Sequence, residues 1–209
     1  AQEKGFFEEL NLDIQLIEMS SLADVLRVYS QGRADGMAST MIEVVHAAGL
    51  TQEEIQVVLI PDYSFGGDTI VSKQSISSIQ ELKGKRVGTE LGSLGMYILA
   101  QALDKNDLKL KDVDIINVEQ LDAEHAMTHN DIDAIVTYPP FSTAILKHPQ
   151  FREIFTTREL PGDVIDTISI NQQTLNKLPD DWLKRFYQAW DKAIQYSEQF
   201  QFEAYGIMA

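Results

Sequence analysis

A chain of 209 residues has room for one large domain or two lobes of about 100 residues each. With 32 acidic side chains against 17 basic ones, its formal charge of −15 excludes affinity for phosphate backbones or anionic lipid built on Lys and Arg. A hydrophobic content of 44% supports a folded core, and the absence of cysteine removes disulfides, thiolate zinc sites and cysteine nucleophiles together.

The first residues, with Phe6, Phe7 and Leu10 on one face, predict a short helix ending near Asn11. Leu12 to Met19 alternates apolar and polar, the period of a strand. Ser20-Ser21 then opens a helix carrying Leu22, Val25, Leu26 and Tyr29, with Gly32 as its stop. Ala34 to Ala38 reads as a short strand, and Ser39-Thr40 caps a helix running toward Gly49. Ile55 to Ile60 is a continuous apolar run, as in a buried parallel strand. The turn-rich segment from Pro61 to Gly67 marks a first boundary.

Strands follow at Thr69 to Ser72, Arg86 to Thr89, Val113 to Val118, Ile132 to Thr137 and near Ile154-Phe155. Helices between them are read at Ile79 to Leu82, from Gly92-Ser93 to Leu103, at Ala123 to Thr128 and at Phe141 to Leu146. Pro161-Gly162 marks a second boundary, followed by a strand at Val164 to Ile170 and two helices, the longer from about Asp180 to Phe200. Trp182, Phe186, Trp190 and Ile194 recur every four residues along it and predict a core stripe. Alternating strands and helices imply an α/β protein with mostly parallel sheets flanked by helices.

Residues 28–40 and 126–138 echo one another: helix end, polar turn, short strand, hydroxyl-bearing loop. The echo predicts two lobes of similar topology, residues 1–67 with 161–209 as lobe one and residues 68–160 as lobe two. Loops after the strands then converge on a cleft where a small ligand binds. Such loops carry Ser20-Ser21, Ser39-Thr40, Asp62 to Phe65, Gly92-Ser93 and Tyr138. Tyr63, Phe65, Tyr138 and Phe141 supply aromatic faces there, and Asp62, Asp163 and Asp166 supply carboxylates near the two boundaries.

Other motifs point to little chemistry. Gly88, Gly92 and Gly95 lie between strand and helix but match neither a Walker loop nor a dinucleotide fingerprint. His125 and His129 share a helix face without the Glu of a zinc hydrolase, and G-x-S-x-G is absent. No catalytic residue, metal or cofactor is expected.

Several passages carry a family resemblance. They are AQEKGFF at residues 1–7, YSQGRAD at 29–35, IQELKGKRVG at 79–88, IDAIVTYPPF at 132–141 and LPGDVID at 160–166. The chain resembles the periplasmic nitrate/sulfonate/taurine and thiamin-pyrimidine solute-binding proteins of ABC importers. The resemblance implies a two-lobed type II periplasmic-binding fold that closes on its solute. It makes Ser20, Ser39, Thr40, Asp62, Tyr63, Gly92, Ser93, Tyr138 and Asp166 the ligand contacts. Relatives begin with a strand before the AQEKGFF helix and continue past AYGIMA, so the chain is expected to be truncated at both ends. Many carry a Glu where Tyr138 stands.

The function implied is capture of a solute outside the cytoplasm and its delivery to a membrane permease, with no nucleic-acid partner and no membrane insertion of this segment. An extracytoplasmic sensor module of a signalling protein would use the same fold. Resembling fungal pyrimidine synthases, which use a His as substrate, carry a cysteine-rich motif that this chain lacks. The charge of −15 favours a heteroaromatic or amine solute over nitrate, with a sulfonate-like one next.

Overall fold

Short strand-forming runs alternate with helical ones in the computed structural model, which describes residues 1–208. Helix α1 (Phe6–Glu9) and an irregular stretch lead to α2 (Leu22–Ser30), β1 (Gly36–Thr40), α3 (Met41–Thr51) and β2 (Ile55–Leu59). Then come β3 (Thr69–Lys73), β4 (Arg86–Thr89), α4 (Leu94–Asp104), β5 (Asp114–Asn117) and α5 (Ala123–Thr128). After β6 (Ala134–Thr137), α6 (Phe141–Ile145), β7 (Phe151–Thr156) and β8 (Asp166–Asn171), helices α7 (Gln172–Leu175), α8 (Trp182–Gln199) and α9 (Gln201–Met208) follow. Their packing forms two units: Met19–Gln172, and Ala1–Glu18 with the residues from Gln173 onward.

The larger unit holds two sheets, ordered β1-β8-β2 and β5-β4-β6-β3-β7. Strand β8 runs antiparallel to both β1 and β2. In the other sheet β3 is antiparallel to β6 and β7, whereas β4 is parallel to β5 and β6. The smaller sheet is therefore antiparallel and the larger one mixed, and neither is mostly parallel. The chain leaves the smaller sheet after β2 and re-enters it beside β2 as β8, and a strand returning at the end where its neighbour left must run against it. For the same reason Ile55 to Ile60 is not a buried parallel strand. It forms an edge strand, with Val58 buried and Ile60 exposed.

Both faces of the five-stranded sheet are covered, so β3, β4 and β6 are nearly solid with apolar or small side chains. Ile70, Val87, Val136 and Phe155 face a core shared with Ile98, Leu99 and Leu103 of α4. On the other face Val71, Ile135 and Phe151 meet Ala126 and Met127 of α5 and Ile145 of α6. Tyr29, Met37, Val44 and Ala47 form a smaller core, in which α2 and α3 pack on the three-stranded sheet.

In the smaller unit α1 lies against α8, with Phe6 edge-on to Tyr196 and Lys192 paired with Glu9. The Arg185 guanidinium donates to the carbonyls of Leu10 and Asn11, at 3.0 and 2.7 Å. The predicted core stripe of α8 holds for Trp182 and Phe186, which stack and are buried, but Ile194 is exposed. A spacing of four drifts about 40° per step around a helix of 3.6 residues per turn, so the buried line passes instead through Ala189. Leu12 to Met19 forms no strand, and Leu16 and Ile17 are exposed. Alternation produces a strand only where a neighbour supplies hydrogen bonds, and none lies beside this stretch.

Candidate functional site

Thr40 ends β1 and caps α3 through the spacing Thr40-x-x-Glu43, a capping box. The Glu43 side chain is fully buried. One of its carboxylate oxygens accepts from the Thr40 N–H at 3.1 Å and the Thr40 hydroxyl at 2.5 Å. The other accepts from the Leu94 N–H at 2.9 Å, at the first residue of α4. The positive end of that eleven-residue helix is thus already filled by a carboxylate of the same chain.

The loop between β4 and α4 is accordingly a packing device. Gly92 has φ +76° and its carbonyl meets Nδ1 of His46 at 3.0 Å. The Ser93 hydroxyl turns back to the Glu90 carbonyl at 3.2 Å. A Cβ on Gly95 would lie 2.3 Å from the Thr89 hydroxyl, so only glycine lets α4 approach β4 this closely.

The two segments joining the sheets run side by side. Tyr63 and Ile165 form an antiparallel bridge, Ser64 N–H donates to the Val164 carbonyl at 2.9 Å, and Asp166 N–H donates to the Asp62 carbonyl at 3.1 Å. This pairing sets the Asp62 and Asp166 side chains against each other. Burial, the hydrogen bond with Asp62, and the charges of Asp62, Asp68 and Glu43 push the Asp166 carboxyl up to about 7. Asp68 is held by the Ser64 hydroxyl at 2.6 Å, and burial raises its carboxyl above the usual range. Burial likewise raises Glu90, which accepts from the Gln120 N–H at 3.2 Å.

Asp62, Tyr63, Ser64, Asp68, Val164 and Asp166 line a cavity of about 620 Å³ within the larger unit. Of the sequence candidates, the structure gathers Ser20, Thr40, Asp62, Tyr63, Tyr138 and Asp166 around it. Ser39, Gly92 and Ser93 do not line it. Ser39 is buried within the three-stranded sheet, where its carbonyl accepts from the Thr167 hydroxyl at 3.0 Å. Asp68, outside the predicted contacts, joins the lining together with Phe65 and Phe141. Its signal in the sequence was faint: an acidic residue directly after Gly66-Gly67 at a strand start.

Tyr138 and Phe141 meet edge to face with centroids 5.6 Å apart. Burial and the nearby Glu90, Asp68 and Glu43 push the Tyr138 hydroxyl up to about 12, so it remains a proton donor at neutral pH. Three carboxyl groups and no Lys or Arg are among the lining residues. His125 and His129 stack on α5, outside this cavity, and no metal-binding cluster occurs among the described residues. Among those residues no helix is long and apolar enough to cross a membrane.

The alkanesulfonate-binding protein SsuA from Xanthomonas axonopodis, solved with MOPS bound, superposes with a TM-score of 0.83 at 16% identity, covering 97% of this chain and 70% of that one. That likeness is one of fold, and the ligand-binding component of an ABC-type import system from Staphylococcus aureus shares it, with a TM-score of 0.75 at 14% identity over 97% of this chain and 72% of that one. A Brucella abortus protein named provisionally as a binding protein is 28% identical over 155 residues, 71% of this chain and 45% of the relative. The 4-amino-5-hydroxymethyl-2-methylpyrimidine phosphate synthase of Candida albicans is 27% identical over 136 residues, 65% of this chain and 34% of that enzyme. The chain thus spans less than half the length of these curated relatives. The NMT1/THI5-like family model matches residues 1–203, and the chain belongs to that family.

Proposed function

We propose that this protein captures a small solute outside the cytoplasm and delivers it to the membrane permease of an ABC importer. The observation that carries the reading is a single cavity framed by both segments that join the two sheets and by the Tyr138 loop. Loops of both sheets reach one solute, and rotation about the segments paired at Asp62–Ser64 and Val164–Asp166 closes on it. Hydroxyls, backbone groups and aromatic faces hold the solute while closure excludes water.

Isothermal titration with taurine, alkanesulfonates, nitrate, formylaminopyrimidine and a wider panel of amines tests this. A bound solute at 100 times its Kd raises stability by about 2.7 kcal/mol, so heat and a melting shift are expected together. No heat and no shift across the panel overturns the reading.

The similarity to the Candida synthase favours a second reading, an enzyme that makes a pyrimidine. Against it, the chain has no cysteine and so lacks the cysteine-rich motif of the fungal synthases. Formation of a pyrimidine by the protein with iron and pyridoxal phosphate would establish that reading in place of the first.

A further inference from the structure

Resting on the reading of this cavity as a solute site, we propose that its solute is a planar organic cation whose N–H groups donate to the neighbouring carboxylates of Asp166 and Asp62. Three features of the cavity converge on this class.

The first is charge. Asp62, Asp68 and Asp166 line the cavity, and Glu43 lies directly behind Thr40. Two basic side chains of this region are directed elsewhere. Arg158 packs over Gly66, where a Cβ would sit 2.8 Å from its Nε, and is not a lining residue; His46 is tied to the Gly92 carbonyl. The second feature is the α4 N-terminus. Glu43 takes the N–H that α4 would otherwise turn toward an anion, which leaves α2, starting at Ser21 and Leu22 on the cavity wall, as the helix start an anion could meet. The third is the walls. Tyr63 and Phe65 are 59% and 60% exposed, and with Tyr138 and Phe141 they offer ring faces to a flat, positively charged ligand.

The Asp166 carboxyl explains how such a ligand is recognised. The ionisable groups facing it are Asp62 and Tyr63 on the paired segment, Asp68 at the start of β3, Glu43 on α3 and Tyr138 after β6. None of them is basic, so in the empty cavity a proton supplies the missing positive charge. A cation supplies it instead and releases that proton. Binding therefore strengthens as pH rises through the range where Asp166 would otherwise be protonated, by roughly tenfold between about pH 6 and about pH 8.

Three probes sharing one ring separate the possibilities: benzamidinium, its neutral analogue benzamide, and benzenesulfonate. Each is titrated by calorimetry across that pH range, in two buffers of different ionisation enthalpy. Benzamidinium is expected to bind roughly tenfold tighter than benzamide or better, with proton release near neutral pH, and benzenesulfonate is expected not to bind. Asp166→Asn is expected to abolish proton release, and its melting curve establishes that it is folded. Equal or tighter binding of benzamide or benzenesulfonate, or benzamidinium binding without proton release, overturns the cation assignment and leaves the solute-binding reading intact. Failure of all three probes overturns the cation assignment, and the solute-binding reading falls with it only if the wider panel also gives no heat and no melting shift.

Discussion

Glu43 shows how much one side chain can decide. Its carboxylate satisfies the Thr40 N–H, the Thr40 hydroxyl and the Leu94 N–H while fully buried. Glu43→Ala leaves all three donors without it, and chemical denaturation should show a loss of about 2–4 kcal/mol. Asp166 acts in the opposite sense. Its carboxyl is raised in the fold, so its contribution to stability is complete below the ordinary aspartate range and fades as pH climbs toward 7. Asp68 and Glu90 are raised as well and add to the trend. The unliganded protein should therefore melt higher near pH 5 than near pH 8, and Asp166→Asn should flatten part of that difference in thermal scans. Ser39-Thr40 was readable as a helix start, without the part played by Glu43. That Glu43 also closes α4, 51 residues on, was not readable, because no local pattern encodes which helix end a carboxylate will meet.

Among the elements, those with strong local punctuation were legible. Both halves of the sequence echo end a helix in the same way. Gly32 and Asn130 take left-handed φ of 68° and 65°, and the next N–H in each reaches back to the helix, Arg33 to Val28 at 3.2 Å and Asp131 to Ala126 at 3.0 Å. The strands after them lie in different sheets, and in the second Asp133 is clamped by Arg86 at 3.0 and 3.1 Å and by Lys73. What local pattern did not supply was partnership. Leu12 to Met19 alternates without a neighbour to pair with, and the direction of β8 depends on where the chain re-enters its sheet. Gly95 sits in a strand-to-helix loop that matches no phosphate motif in the sequence, and its reason is close packing on Thr89. Gly95→Ala should cost about 1–3 kcal/mol in equilibrium unfolding, and adding Thr89→Ala should recover part of it by making room for the new methyl group.

At the scale of the molecule, the larger unit joins a three-stranded and a five-stranded sheet through two adjacent segments, and the cavity lies where those segments run. The resemblance seen in the sequence pointed to the family and fold, whereas which loop residues converge came only with the tertiary arrangement. Six of nine predicted contacts meet at the cavity: Thr40, Asp62, Tyr63 and Tyr138 lie at or after strand ends, Asp166 begins β8 and Ser20 precedes α2, whereas Gly92 and Ser93 turn toward His46 and Glu90. If a solute closes the two sheets about the paired segments, small-angle scattering should record a smaller radius of gyration when it is added. An unchanged radius with saturating solute would contradict closure. The central claim, that this cavity holds a solute, is tested most directly by native mass spectrometry of the purified protein. The account predicts a one-to-one complex with a small molecule that raises the melting temperature when added back, and loss of that complex in Tyr138→Ala with its fold intact. A protein that carries no such molecule and whose melting no solute in the panel shifts would contradict it.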